Sequence, residues 1–166
     1  RGYAAGFYLD ALAALDIAAW DALGKRADKP LAALLSDAPR QSIPAYLSGL
    51  RQASLAGRIE AMNDWADRGL RGIKIFLDGD LDAGLAELAA LQEAGGDKIE
   101  QWMVDTLWMC RGDTARRAKS DFGKLGARFL ECPLQPENLQ GHRELLVEPG
   151  APIALGEHFR THYQTA

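Results

Sequence analysis

The chain has 166 residues, of which 48% are hydrophobic and 25% are charged, and a formal net charge of −4. That length suffices for one domain with its own core, and the composition is ordinary for a globular protein. The negative charge argues against nucleic acid as a partner, and no stretch reaches the roughly 18 consecutive apolar residues that a membrane span needs.

Helical periodicity dominates the first forty residues. Apolar residues recur at helical spacing from residue 9 to residue 23, and Gly24 is the predicted C-cap of this helix. Pro30 precedes a second, short helix predicted at residues 31–35. We therefore predict that residues 1–40 form a helical segment that leads into the next part of the chain.

Strands and helices alternate from residue 41 onward, because short β-rich apolar runs give way to segments with helical spacing. The predicted strands are residues 42–47, 72–77, 101–105, 128–131 and 152–155. The predicted helices are residues 54–68, 81–94, 113–125 and 138–147, with another beginning at 162–166. Such alternation is typical of an α/β fold with a parallel sheet and right-handed crossovers.

Two architectures fit this alternation: a doubly wound, cofactor-binding sheet and part of a (β/α)8 TIM barrel. A doubly wound sheet normally carries a glycine-rich phosphate turn after its first strand, and residues 45–49 contain no GxGxxG motif. A barrel places its functional side chains at the carboxyl ends of several strands. We therefore predict that residues 41–166 are the first five βα units of a partial barrel. Because five strands cannot close it, we expect about three further units in the complete molecule.

Three acidic residues support the barrel. Asp105, Glu131 and Glu157 are 26 and 26 positions apart, and each closes a short apolar run. Carboxyl ends of parallel strands meet at one edge, where three carboxylates would repel one another unless a cation neutralised them. Oxygen ligands without His or Cys suit Mg²⁺, with Mn²⁺ as a substitute. The alternative is that these acids are separate, solvated loop charges.

Lys74 lies within the second predicted strand. Alternation places Lys74 and Phe76 on one face and the two isoleucines of the GIKIFL run on the other. Because the helices must pack against the isoleucine face, Lys74 is predicted to point away from them, toward the acids. There it would pair with a substrate carboxylate or act as a base. A purely structural ion pair is the alternative.

The remaining candidates are weaker. His158 and Arg160 follow the last predicted strand and are predicted to contact an acidic substrate, with capping or ion pairing as the alternative. His142 is predicted on the surface of its helix. The two cysteines form no CxxC motif, so we predict packing roles for them, no disulfide, and a cytoplasmic protein.

Taken in order, these segments resemble the mandelate racemase and muconate lactonizing enzyme branch of the enolase superfamily. The resemblance covers nearly all of the chain. The segments that carry it are ALDIAAWDALGK, KPLAALL, PAYLSGL, RGLRGIKIF, MVDTLW, FLECPL and PIALGEH.

The resemblance implies that Asp105, Glu131 and Glu157 bind Mg²⁺ and that Lys74 lies beside the oxygens of a substrate carboxylate. The implied chemistry is abstraction of the proton α to that carboxylate, with the metal stabilising the enolate. It also implies a capping domain and later strands that carry a His–Asp base, all expected outside this chain. The expected activity is dehydration of a sugar acid to a 2-keto-3-deoxy acid.

Three positions depart from the pattern of that family. Phe76 stands where a second lysine is common, Leu107 where an asparagine is common, and Cys132 where a second acid is common. The missing second lysine argues against a two-base racemase, but a racemase, epimerase or cycloisomerase with the same metal site remains an alternative. A second alternative is a degenerate barrel that acts as a binding protein. For an enzyme we expect a small carboxylate substrate and a homo-oligomer.

Overall fold

The computed structural model describes residues 6–77 and 79–161. By their contacts, the residues divide into two compact units, one comprising Arg1–Pro44 with Gly156–Ala166 and the other comprising Ala45–Leu155. The contacts therefore group the segment from Gly156 onward with the N-terminal helices, whereas the sequence predicted one boundary, after residue 40. The helix predicted at 162–166 lies outside the described residues.

The first unit is helical, with α1 at Phe7–Ala27 and α2 at Leu31–Leu35. The prediction that Gly24 caps α1 is wrong, because the helix continues past it to Ala27 and Asp28 is the C-cap. Asp28 adopts the left-handed conformation with φ 51°, and its N–H donates to the carbonyls of Gly24 and Lys25. Aspartate tolerates this conformation better than most side chains. None of the described helices is both long and apolar enough to cross a membrane.

The second unit alternates strands with helices as predicted. Its strands are β1 (Leu47–Ser48), β2 (Gly72–Phe76), β3 (Gln101–Asp105), β4 (Leu130–Glu131) and β5 (Ile153–Ala154). Its α-helices are α3 (Leu55–Asp67), α4 (Leu81–Gly95), α5 (Asp113–Lys124) and α6 (Leu139–Val147), with a 3₁₀ turn at Gly96–Lys98. Side-chain oxygens cap three of these helices: Ser54, Asp80 and Asn138 each accept a hydrogen bond from the backbone N–H three residues later.

All five strands are parallel, and their order across the sheet is the same as their order along the chain. In a doubly wound sheet the strand order would reverse at a switch point, so that it no longer followed the order along the chain. The partial-barrel prediction is therefore confirmed, and the doubly wound alternative is wrong.

The first predicted strand is misplaced. Residues 42–46 have no strand conformation, and β1 comprises only Leu47 and Ser48. Pro44 has no N–H to donate to a ladder, and β1 is an edge strand, so pairing begins only after the proline. The fourth and fifth strands are likewise shorter than predicted.

The hydrophobic core lies on the helix-covered face of the sheet. Ile73 and Ile75 of β2 are at most 2% exposed and belong to the same buried cluster as Val104 and Leu130 of the neighbouring strands. Phe122 of α5 joins this cluster. Since side chains alternate along a strand, Lys74 and Phe76 lie on the opposite face, which confirms the predicted orientation of β2.

The cysteines and one histidine are buried. Cys110 and Cys132 are buried, as predicted for packing residues. Burial raises the pKa of the Cys110 thiol, and a hydrogen bond with Thr106 offsets this only in part. The prediction that His142 is a surface residue is wrong. It shares the buried side of α6 with Leu145, and its Nδ1 lies 2.9 Å from the carbonyl oxygen of Asn138.

Candidate metal and substrate site

Neighbouring strands bring three residues into one row at the carboxyl end of the sheet. The register pairs Phe76 with Asp105, and Asp105 with Glu131. Lys74 lies two residues before Phe76, so its side chain is on the same face, in the next row toward the amino end of the strands. This face is opposite the apolar core, so packing of the core does not require these three side chains.

The two acids converge on one ammonium group. Nζ of Lys74 lies 2.5 Å from Oε2 of Glu131 and 3.3 Å from Oδ2 of Asp105. The Lys74 and Asp105 side chains are 8% and 6% exposed, and that of Glu131 is 20% exposed. Charged groups so well shielded are rare unless they are paired, as these are.

The charges of the acids decide the protonation of Lys74. Burial by itself lowers the pKa of Lys74, but the hydrogen bond and charge of Glu131, together with Asp105, outweigh it and leave the pKa above its usual value. The ammonium form therefore prevails at neutral pH. In this arrangement Lys74 is a fixed positive charge and a poor base.

The aromatic ring of Phe76 forms one wall of the cluster. Its centroid lies 5.7 Å from Nζ of Lys74, within the range of a cation–π interaction. The ring also packs against the backbone after β1, where a Cβ on Gly49 would lie 2.5 Å from Cε2 of Phe76. Gly49 also donates its N–H to the Lys74 carbonyl oxygen at 2.8 Å. The lack of a side chain at Gly49 thus allows the ring to lie beside Lys74.

Backbone and hydroxyl groups hold the Asp105 carboxylate and the backbone of Glu131 in place. The N–H of Leu107 donates to Oδ1 of Asp105 at 3.0 Å, which leaves Oδ2 facing Lys74. Oγ1 of the fully buried Thr106 lies 3.0 Å from the carbonyl oxygen of Glu131 and 2.9 Å from that of Cys132. The side chain directly after β3 therefore fixes the backbone that carries the acid of β4.

The chain turns sharply just beyond both acids. Leu107, Trp108 and Cys132 have φ of 50°, 58° and 47°, in the left-handed region that side chains other than Gly, Asn and Asp seldom adopt. Such conformations persist only where their surroundings enforce them, and they cluster at functional sites. The hydrogen bond from Trp108 N–H to the Cys132 carbonyl, 2.8 Å long, links the two turns.

The Thr106 hydroxyl gives a direct stability prediction. Thr106→Val keeps the shape but removes the donor, so we expect the free energy of unfolding to fall by about 1 kcal/mol. The loss stays small because backbone N–H groups also reach the same two carbonyls. Urea unfolding measures it, and Thr106→Ser, which retains the hydroxyl, serves as the comparison. Equal stability of the valine variant and the parent would show that the hydroxyl contributes nothing.

The other predicted site residues belong to the first unit. Glu157 and His158 are exposed and begin three residues after the end of β5. Nε of Arg160 lies 3.0 Å from Oδ1 of Asp10, an ion pair within that unit. The ion-pairing alternative for Arg160 thus has a partner in the structure, while the roles of Glu157 and His158 remain predictions.

Sequence reasoning did not find the supporting residues Thr106 and Gly49. Their contacts join different strands, and a single strand pattern holds no signal for such contacts. The left-handed turn at Cys132 was not predictable either, since the proline that follows it directly favours an extended backbone at that position.

Comparison with known proteins agrees with this geometry. The family model described as "Enolase C-terminal domain-like" matches residues 57–166. The chain belongs to this enolase-type family. An L-talarate/galactarate dehydratase of Salmonella typhimurium is 32% identical over 96% of this chain and 41% of its own length. A 3,6-anhydro-alpha-L-galactonate cycloisomerase of Streptomyces coelicolor is also 32% identical, over 95% of this chain and 44% of its own length.

A solved enolase-type structure extends the comparison to three dimensions. A racemase from Streptomyces coelicolor, crystallised with bound magnesium, superposes with a TM-score of 0.84 at 30% identity. The match covers 96% of this chain and 44% of the racemase. The present chain therefore spans about two fifths of the length of these relatives.

The described residues fit a hard divalent cation. Asp105 and Glu131 supply carboxylate oxygens only, which is the ligand type that Mg²⁺ prefers. Their Oδ2 and Oε2 atoms both lie beside one positively charged partner, the ammonium group of Lys74. The Asp105 carboxylate is held by the backbone N–H of Leu107, and the Glu131 carboxylate by the ammonium group of Lys74.

Proposed function

We propose that the complete protein is a Mg²⁺-dependent enzyme that removes the proton α to a carboxylate, and that its reaction dehydrates a sugar acid to a 2-keto-3-deoxy acid. The observation that carries this proposal is the shielded cluster of Asp105, Glu131 and Lys74 at the carboxyl end of a parallel sheet. In barrel enzymes the chemistry takes place at that end. The similarity to a sugar-acid dehydratase supports the choice of reaction.

Asp105 and Glu131 are the proposed metal ligands, with Glu157 as the third. The regular spacing of the three acids after successive strands supports Glu157. When bound, Mg²⁺ supplies Lewis-acid stabilisation of the negative charge on the substrate carboxylate. Mn²⁺ is expected to substitute, since it accepts the same oxygen ligands.

Lys74 is proposed to bind the substrate carboxylate rather than to take the proton. Its ammonium group is oriented by two acids and kept charged by them. A fixed positive charge beside the carboxylate offsets the charge that develops as the α-proton leaves. We assign the base to a residue outside this cluster, because a lysine with a raised pKa is mostly protonated at neutral pH. His158 is proposed as a substrate contact, and Arg160 as a second one that would have to leave Asp10.

The test is a product assay on the complete protein. Incubation with a panel of sugar acids and MgCl₂ should yield a 2-keto-3-deoxy acid from at least one of them, detected as its semicarbazone. In D₂O the product should carry deuterium at C3, because enol protonation takes a solvent proton. EDTA should abolish turnover, and added Mg²⁺ or Mn²⁺ should restore it. Turnover that survives EDTA would refute the metal role.

An isomerase is the second candidate, because the cycloisomerase and the racemase are as similar to this chain as the dehydratase is. The same incubation separates the two. An isomerase exchanges the α-proton with solvent or closes a ring, and the mass of the product equals that of the substrate apart from deuterium. A dehydratase loses one water. A binding protein with a degenerate site would do neither, and the intact acid–lysine cluster argues against it.

A further inference from the structure

One ammonium group serves both carboxylates of the site. Lys74 reaches Glu131 at 2.5 Å and Asp105 at 3.3 Å, and the three side chains are largely shielded from water. Salt screens such a group of charges far less than it screens an exposed ion pair. The positive charge on Lys74 therefore acts at nearly full strength on anything that binds the same oxygens.

A divalent cation held by Asp105 and Glu131 would be only a few ångströms from that ammonium. Two like charges at such a distance repel strongly in a poorly solvated setting. The ring of Phe76 lies on one side of Lys74, with its centroid 5.7 Å from Nζ. That ring is itself held against Gly49.

We propose that Lys74 opposes metal binding: its ammonium group competes with the divalent cation for Glu131 and Asp105 and so weakens the affinity of the site for metal. This inference rests on the proposed metal function and adds a second role for Lys74 to it. Because coupling between two bound charges is reciprocal, a bound cation weakens the hold of Glu131 on Lys74. Metal loading would thereby free the ammonium group for a substrate carboxylate.

The competing explanation predicts the opposite sign. If Lys74 merely orders the two acids, its removal scatters them and weakens metal binding. If Lys74 competes with the cation, its removal leaves two acids without a counter-ion and strengthens metal binding. The affinity of Lys74→Met for Mg²⁺ therefore separates the two roles without any measurement of activity.

The experiment is calorimetric titration of the complete protein with MgCl₂. We expect Lys74→Met to bind Mg²⁺ about tenfold or more tightly than the parent. Without metal the variant should melt at a lower temperature than the parent, because its acids repel each other, and Mg²⁺ should raise its Tm by more. Lys98→Met is the matched control. Lys98 is exposed and pairs with Asp67 at 3.0 Å, so this variant makes the same change of charge and should leave Mg²⁺ affinity unchanged.

A measurement on the unaltered protein covers the case in which Lys74→Met does not fold. Crystal structures with and without Mg²⁺ should show Nζ of Lys74 move beyond about 3.5 Å from Oε2 of Glu131 when metal is bound. Equal or weaker Mg²⁺ binding by a folded Lys74→Met, or an unbroken Lys74–Glu131 hydrogen bond beside a bound ion, would overturn the inference while leaving the proposed function intact. Absence of Mg²⁺ binding in the parent and every variant would overturn both.

Discussion

Glu131→Gln is expected to lower kcat/KM of the complete protein by at least about a hundredfold, because loss of groups that only support metal ligands already costs 10–100-fold. Glutamine keeps the size of the side chain but removes the negative charge that lies 2.5 Å from Lys74. It also replaces one carboxylate of the proposed metal site by a neutral amide. Steady-state kinetics on the acid that the parent turns over best, with Mg²⁺ in excess, measures the loss.

Folding should survive this change. Asp105 still neutralises Lys74 from 3.3 Å, and the backbone bonds of Glu131 to Thr106 do not involve its side chain. Glu137→Gln is the control, since Glu137 is exposed in the loop that follows β4 and the same change of charge there should leave kcat/KM unaltered. A Glu131→Gln protein with parental activity in the presence of EDTA would eliminate the metal mechanism.

The orientation of Lys74 was predictable because one local rule determines it. A β-rich run of five residues with one lysine has two faces, and the apolar face must pack against the helices. The same reasoning fails for the first and the last strand. β1 and β5 have two residues each, and alternation over two residues carries no pattern to read.

The supporting contacts could not be predicted because they join residues distant in sequence. Thr106 bonds to carbonyls 25 and 26 residues away, and Gly49 meets a ring that lies 27 positions later in the chain. Both depend on the register between strands, which sequence patterning alone leaves open. His142 was placed on the surface for a related reason, since only the packing of α6 shows that its ring lies on the buried side.

Gly150→Ala is expected to lower the free energy of unfolding by about 2–5 kcal/mol, the sum of backbone strain and overpacking. Gly150 has φ 128°, outside the usual range for a side chain, and its added Cβ would lie 2.6 Å from the carbonyl carbon of Lys119. That part of α5 cannot move away easily. The Lys119 carbonyl accepts from the N–H of Ala151 at 2.9 Å, and its buried ammonium donates to the carbonyl of Leu145 at 2.9 Å.

Two glycine variants separate the two causes of this loss. Gly69 has φ 96° with open space around it, so Gly69→Ala tests backbone strain alone and should cost about 1–2 kcal/mol. Gly123 lies inside α5, where alanine is the better helix former, but its Cβ would lie 2.6 Å from the backbone N of Ala151. Gly123→Ala therefore tests crowding alone and should still destabilise. Urea unfolding compares all three. A Gly150→Ala protein no less stable than Gly69→Ala would show that the turn before β5 is not in tight contact with α5, because the crowding would then cost nothing.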